Sequence, residues 1–181
     1  MIPALVVRGQ AMARVFRKLL EPEFGPELRL VEEDSAGGSV MAAKSILLRR
    51  RYVVALVTDT KPEEIRQTHR SIVYLLISAA CADQWKLVLM APETEVLLFK
   101  DRGVLRQLLG REPTQEELIR GQTGPRRVLE EALGFEGLAL DEELCRRLAR
   151  VDVSPLAEHS SVRQVREFFR AHREGRASLP F

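Results

Sequence analysis

Charged side chains follow four apolar segments of the chain, and their types allow two kinds of chemistry. Clustered carboxylates can hold a divalent cation, whereas arginine or lysine beside glycine amides can hold a phosphate. The four charged groups are Arg8-Gly9-Gln10, Glu32-Glu33-Asp34, Asp59-Thr60-Lys61 and Glu93-Thr94-Glu95. A cysteine metal site or disulfide framework is not expected, because the two cysteines lie far apart within helix-like patterns.

The segments that precede these groups are typical of β-strands, and the segments between them have the apolar spacing of helices. The predicted strands are Ala4–Val7, Leu28–Val31, Tyr52–Val57 and Trp85–Met90. Alternation of four strands with helices predicts an α/β fold with a four-stranded, mostly parallel, Rossmann-like sheet and helices on both faces. Ligands of such sheets bind beyond the carboxyl ends of the strands, so the four charged groups should meet at one rim.

From Arg111 onward the pattern is helical only. Thr114 and Glu117 form a capping-box motif, and Ser160 or Ser161 begins a last helix. We therefore expect an α/β domain over residues 1–110 and a helical extension packed on it over residues 111–181. The last helix carries one arginine stripe, interpreted either as a solvated face or as a surface that follows a phosphate backbone: Arg163, Arg166, Arg170 and Arg173.

The composition is that of a folded protein. Of 181 residues, 45% are hydrophobic, and 28 basic against 26 acidic side chains give a net charge of +2. This near-neutral balance gives no argument for nucleic-acid binding. The apolar runs fall short of a membrane span, and the amino terminus lacks the pattern of a signal peptide, so a cytoplasmic protein is expected.

Three segments resemble the TOPRIM domain of topoisomerases, bacterial primases and the overcoming-lysogenization-defect nucleases. They are Leu5–Gln10, Gly37-Gly38 and Val54–Lys61. The segment Ala91–Asp101 is similar to one in small standalone TOPRIM-like proteins of unknown function. The resemblance implies a TOPRIM-like fold and, in active members, magnesium-dependent cutting or joining of nucleic-acid phosphodiesters by a glutamate after strand one and an Asp-x-Asp after strand three.

The chain departs from that pattern at two of the three acids. Arg8 stands where the family has its glutamate, Asp59 is kept, and Lys61 replaces the second aspartate, so these three positions sum to +1 instead of −3. A guanidinium or ammonium group offers magnesium no lone pair, and we expect no cofactor. Arg8, Gly9 and Lys61 then form either an anion site or a salt-bridge cluster with Asp59 and the nearby acids.

We therefore expect a catalytically degenerate TOPRIM-like protein that works by binding, as an accessory subunit of a nucleic-acid-processing or phage-defence complex. Its partner would be another protein or a second copy of itself, with nucleic acid as a further possibility and no membrane. The alternative is an active magnesium-dependent nuclease or phosphotransferase. Its candidate catalytic residues are Asp59, Glu93 and Glu95, with Glu33 or Asp34 as a further metal ligand. A third reading is an oligomeric structural protein.

Overall fold

A computed structural model describes residues 1–175 and contains one four-stranded sheet. Its strands are β1 (Ile2–Arg8), β2 (Arg29–Glu33), β3 (Tyr52–Asp59) and β4 (Trp85–Met90). The strand order is β2-β1-β3-β4, and every neighbouring pair is parallel. The predicted α/β fold is therefore confirmed, and the sheet is parallel throughout.

The position of β1 and β3 in the middle of the sheet explains why their sequences are apolar without alternation. All eight residues of β3 are buried, because helices cover both faces of the sheet. The register aligns Val7 of β1 with Val57 of β3. Arg8 and Asp59, the last residues of the two strands, therefore emerge beside each other at the carboxyl edge.

Eight α-helices complete the described part of the chain. They are α1 (Gln10–Phe24), α2 (Ala36–Leu47), α3 (Ile65–Ile77), α4 (Arg102–Leu109), α5 (Gln115–Arg120), α6 (Pro125–Leu133), α7 (Gly137–Leu148) and α8 (Ser160–Arg173). Helices α2 and α3 pack on one face of the sheet, and α1 packs on the other with α4 and α6 to α8 around it. Within residues 1–175, every helix is too short or too polar to cross a membrane.

The helices beyond residue 110 share a core with the sheet. The Phe169 ring of α8 meets the Phe24 ring of α1 edge-on, with centroids 5.6 Å apart. The ammonium group of Lys18 donates to the carbonyls of Leu148 and Val151 at 3.0 and 2.6 Å, which holds the end of α7 on α1. Gly110, with φ of 74°, ends α4. The division of the chain after this residue stays a prediction, and residues 176–181 lie outside the described range.

The segment between β4 and Gly110 contains two short helices. Residues Thr94–Lys100 form a 3-10 helix whose apolar side chains from Val96 to Phe99 are all buried. The Asp101 carboxylate then accepts the Val104 N–H at 2.8 Å and begins α4. A capping aspartate inside an apolar run therefore starts a new helix, because its side chain takes an amide that a continuing helix would bond internally.

Candidate functional site

A cleft of about 460 Å³ opens at the carboxyl edge of the sheet, between the strand ends and the amino-terminal parts of α6 and α7. Its lining comes from all three regions: Arg8, Gly9, Gln10, Asp34, Glu93, Thr94, Glu95, Arg126, Gly137, Leu138, Asp141 and Glu142. Three of the four charged groups predicted to meet at one rim line this cleft, the exception being the group that contains Asp59 and Lys61. Asp59 does not line the cleft itself but pairs with Arg8, which does.

Arg8 and Asp59 form an ion pair across the two central strands. Asp59 is 8% exposed, whereas the Arg8 side chain is 38% exposed and lines the cleft. The second carboxylate oxygen of Asp59, Oδ1, is buried and has no hydrogen-bond partner in the described protein. The chain turns into α1 directly after Arg8 at Gly9, whose φ of 85° suits glycine.

Lys61 stands apart from this pair. Its ammonium group lies 3.4 Å from Glu64 at the start of the next helical turn, and its side chain is 69% exposed. Arg8 therefore faces Asp59 without a second cation beside it. The sequence left open an anion site or a salt-bridge cluster. In the structure, Arg8 forms a salt bridge with Asp59, and Lys61 pairs separately with Glu64.

Glu93 and Glu95 both hold the start of α6. The Arg126 backbone N–H donates to the Glu93 carboxylate at 3.0 Å, which satisfies one of the free amides of the helix amino terminus. Glu95 is 7% exposed and accepts from the Thr94 hydroxyl at 3.2 Å and from the Arg126 guanidinium at 3.1 Å. These two acids therefore position a helix.

Arg126 is the central cation of the cleft, and no motif in the sequence indicated it. Its guanidinium donates to both carboxylate oxygens of Asp141 at 2.9 and 3.0 Å and to the Gly137 carbonyl at 3.1 Å. Hydrogen bonding to Asp141, followed by the charges of Asp141 and Glu95, raises the pKa of Arg126. Asp141 lies 15 residues beyond Arg126, a separation that no helical or strand spacing would have paired.

The candidate metal ligands do not converge. Among residues 1–175, no group of three histidine, cysteine, aspartate or glutamate side chains could hold a metal ion. Asp34 is exposed at the cleft lining, and Glu33 lies against Gly38 at the start of α2. Asp59 and Glu95 are each bonded to an arginine guanidinium, and Glu93 caps α6.

The cleft as a whole is acidic. Its lining holds two arginines against five carboxylates, a formal charge of −3. Both arginines are already paired with acids, so an incoming phosphate would meet a negative potential. The lining is therefore poorly suited to the phosphate-holding role considered for Arg8, Gly9 and Lys61.

The arginine stripe of α8 turns toward α1 over most of its length. Arg170 lies 2.5 Å from Glu23, and Arg166 and Arg173 lie 3.7 and 3.5 Å from the same carboxylate. A hydrogen bond from Arg170 and the charges of all three arginines lower the pKa of Glu23. Arg163 pairs with Glu167 on the same helix. Three of the four arginines therefore bind Glu23 of α1, an arrangement that differs from both readings of the stripe made from the sequence.

The chain matches no protein-family model, and comparisons with curated proteins and with solved structures find no match. The TOPRIM resemblance stays a prediction from the sequence motifs.

Proposed function

We propose that this chain is a catalytically inactive, TOPRIM-like accessory protein that acts in the cytoplasm by binding. It would serve a nucleic-acid-processing or phage-defence complex through another protein or a second copy of itself. It would need no metal cofactor. The resemblance of its motifs supplies the family, and the cleft supplies the argument for inactivity.

The ion pair between Arg8 and Asp59 carries the proposal. In the aligned motif, these positions hold the glutamate and the first aspartate of the metal site. Here a guanidinium fills one position and binds the carboxylate of the other. Magnesium needs oxygen ligands with free lone pairs; the guanidinium has none, and one of the two carboxylate oxygens of Asp59 is already bound to it.

The remaining acids support the same reading. Glu93 already accepts the Arg126 N–H and Glu95 the Arg126 guanidinium, so a metal would compete with these bonds for the two carboxylates. The active nuclease or phosphotransferase built on Asp59, Glu93 and Glu95 would therefore compete with the ion pairs Arg8–Asp59 and Arg126–Glu95. It is the competing outcome of the following experiment.

Metal binding and phosphodiester cleavage test the proposal together. The chain is melted with magnesium or manganese up to millimolar concentration and incubated with plasmid and single-stranded DNA. A site filled a hundredfold above its dissociation constant would add about 2.7 kcal/mol to the free energy of unfolding. We expect no such gain and no cleavage.

Asp59→Asn and Asp83→Asn form the matched pair of variants. Asp83 is partly exposed in a 3-10 turn before β4, at the opposite edge of the sheet. Metal-dependent cleavage that Asp59→Asn abolishes and Asp83→Asn retains would overturn the proposal and establish the enzyme.

A further inference from the structure

Strand β2 is an edge of the sheet, and one side of its backbone has no partner in the described part of the chain. The Glu33 carbonyl accepts the Gly9 N–H at 2.9 Å, so the backbone groups of Glu33 face β1. These groups alternate in direction along a strand, so those of Leu30 and Glu32 point away from the sheet. Two amides and two carbonyls along this edge can therefore bond to a further strand.

The side chains of β2 include three charges, which an approaching strand would meet. Arg29 and Glu32 are exposed, and Glu33 is partly exposed. Arg29 donates to the Tyr52 hydroxyl at 3.3 Å, and none of the three charges forms an ion pair within residues 1–175. Charges on an edge strand discourage pairing unless the approaching strand supplies opposite charges. An occupant of this edge must therefore match the order of charges along β2.

We infer that the β2 strands of two copies of this chain pair antiparallel about a two-fold axis at Val31, which joins their sheets into one of eight strands. Leu30 of each copy then lies opposite the partner's Glu32, and their outward groups exchange two hydrogen bonds. The symmetric pair exchanges two more. Antiparallel order also places Arg29 opposite the partner's Glu33 in a non-hydrogen-bonded pair, where facing Cα atoms are about 4.5 Å apart.

The charges select this register from its neighbours. Because outward residues must pair with outward residues, the two-fold axis passes through a single residue of the strand. An axis one residue earlier would set Glu33 against the partner's Glu27. One residue later, Arg29 would face the partner's Ser35. Of these three registers, the one centred on Val31 alone places opposite charges face to face.

A pocket beside β2 supplies cations for the partner's Glu32. This pocket of about 450 Å³ lies between α1, β2 and the end of α7, and its lining includes Arg14, Arg17 and Leu30. Neither arginine has a carboxylate partner among residues 1–175. Because the partner's Glu32 stands opposite Leu30 on the α1 face of the sheet, its side chain extends toward this pocket.

The charges around β2 nearly cancel, so two copies can approach each other. Three cations and two acids line the pocket, and β2 adds Arg29 and Glu33. The exposed acids Glu27 and Asp34 flank the strand, which gives four cations against five acids. A strongly charged edge would instead repel its own copy.

The opposite edge of the sheet, β4, lacks such a match. The Met90 carbonyl accepts the Thr60 N–H, so the backbone groups of Leu87 and Leu89 point outward there. The strand carries one charge, Lys86, and no two-fold axis centred on β4 places an acid opposite it. The order of charges therefore favours β2 over β4.

This inference rests on the proposed function only in choosing the second copy among the partners that it leaves open. A monomeric chain would leave the metal and cleavage results unchanged, and cleavage activity would leave the oligomeric state unchanged. The two proposals can therefore fail separately.

Sedimentation velocity of the full chain, from micromolar to tenth-millimolar concentration, tests for the dimer. A pair of five-residue strands is small beside the interfaces of about 1,200 Å² or more that stable complexes bury, so we expect dissociation in the micromolar range. Glu32→Pro removes an outward N–H and leaves the bonds to β1 intact, so it should weaken association by about tenfold or more. Glu32→Gln is the matched control, because it keeps the N–H, and should weaken association by a few fold at most.

A charge exchange tests the register. Arg29→Glu and Glu33→Arg each set like charges against each other and should weaken the dimer by several fold, and the two together should restore it. Circular dichroism confirms that each variant is folded. Failure of the double variant to restore association would overturn the register centred on Val31.

Hydrogen exchange locates the interface. With rising concentration of the full chain, exchange at the outward amides of Leu30 and Glu32 should slow, whereas exchange at Leu87 and Leu89 of β4 should stay the same. A chain that remains monomeric at tenth-millimolar concentration overturns the inference. So does a dimer that Glu32→Pro leaves intact, or one that slows exchange at β4 instead of β2.

Discussion

Arg8 and Asp59 end the two central strands of the sheet, and their side chains form an ion pair at the rim where parallel α/β sheets bind ligands. The carboxylate is buried and the guanidinium half-exposed. Arg8 supplies the counter-charge for this buried carboxylate at the carboxyl edge of the sheet.

Replacing Arg8 by glutamate should convert this pair into a cation site. Arg8→Glu places a second carboxylate beside Asp59, and the repulsion should lower the free energy of unfolding in the absence of metal. Millimolar magnesium should recover part of the loss, because a ligand that binds only the folded state stabilises it. Lys61 needs no change, since it faces Glu64. Melting curves with and without magnesium measure both effects.

Arg8→Gln is the control for that variant. It removes the counter-charge of Asp59 and adds only a neutral amide oxygen in place of a carboxylate, so it should lose about 1–3 kcal/mol and show a much smaller magnesium response. Equal responses in Arg8→Glu and Arg8→Gln would mean that Arg8 does not occupy a metal-ligand position, and the alignment with the TOPRIM motif would be wrong.

Arg126 should be the cation on which the cleft wall depends most. Arg126→Met leaves the buried Glu95 and the partly buried Asp141 without their shared partner, and should cost about 2–4 kcal/mol. Arg127→Met, on the same helix, removes a surface pair with Glu131 in which Arg127 is 79% exposed, and should cost less than about 0.5 kcal/mol. Urea unfolding at neutral pH measures both, and similar losses in the two variants would contradict the assigned role.

Glu23 should fasten α8 to α1. Glu23→Gln leaves three arginines of α8 without their common carboxylate and should cost about 1–2 kcal/mol. Glu158→Gln is the comparison, because Glu158 contacts Arg166 from an 83% exposed position and should have little effect. Hydrogen exchange across α8 should rise in Glu23→Gln alone. Unchanged exchange would show that the apolar contacts of α8 are enough to hold it on α1 without Glu23.

Glu117 should contribute to acid unfolding. The Arg111 hydrogen bond, aided by the bonds with Thr114, lowers the pKa of Glu117 from 4.5 to about 2. The folded chain therefore binds fewer protons than the unfolded chain between these values. The stabilisation is complete above pH 4.5 and is lost as the pH falls through 2.

Glu117→Gln should accordingly be less stable than the parent at pH 7, and the difference should shrink as the pH falls below 4.5. Urea midpoints between pH 7 and pH 2.5 measure this convergence. Glu116→Gln, at an exposed neighbouring position, should remain parallel to the parent. A constant difference between Glu117→Gln and the parent at all pH values would contradict the assignment.

The sequence by itself determined the parallel sheet and the charged groups that follow its strands at the carboxyl edge. A run of apolar, β-branched residues such as Tyr52–Val57 fits a strand buried on both faces, and helical crossovers require parallel neighbours. The sequence also predicted the capping box at the start of α5, since Thr114 and Glu117 form hydrogen bonds within one helical turn. Each of these features depends on residues close in the chain, where spacing fixes geometry.

Only the tertiary structure decided which charges meet. Arg8 pairs with Asp59, 51 residues away in the sequence, and Arg126 pairs with Glu95, 31 residues away. Lys61 instead pairs with Glu64, three residues further along the chain. Packing likewise buries Leu76 of α3 and leaves its neighbour Leu75 36% exposed. The physical reason is that ion pairing and burial depend on the distance and orientation between elements, and these are set by how helices seat on the sheet rather than by spacing along the chain.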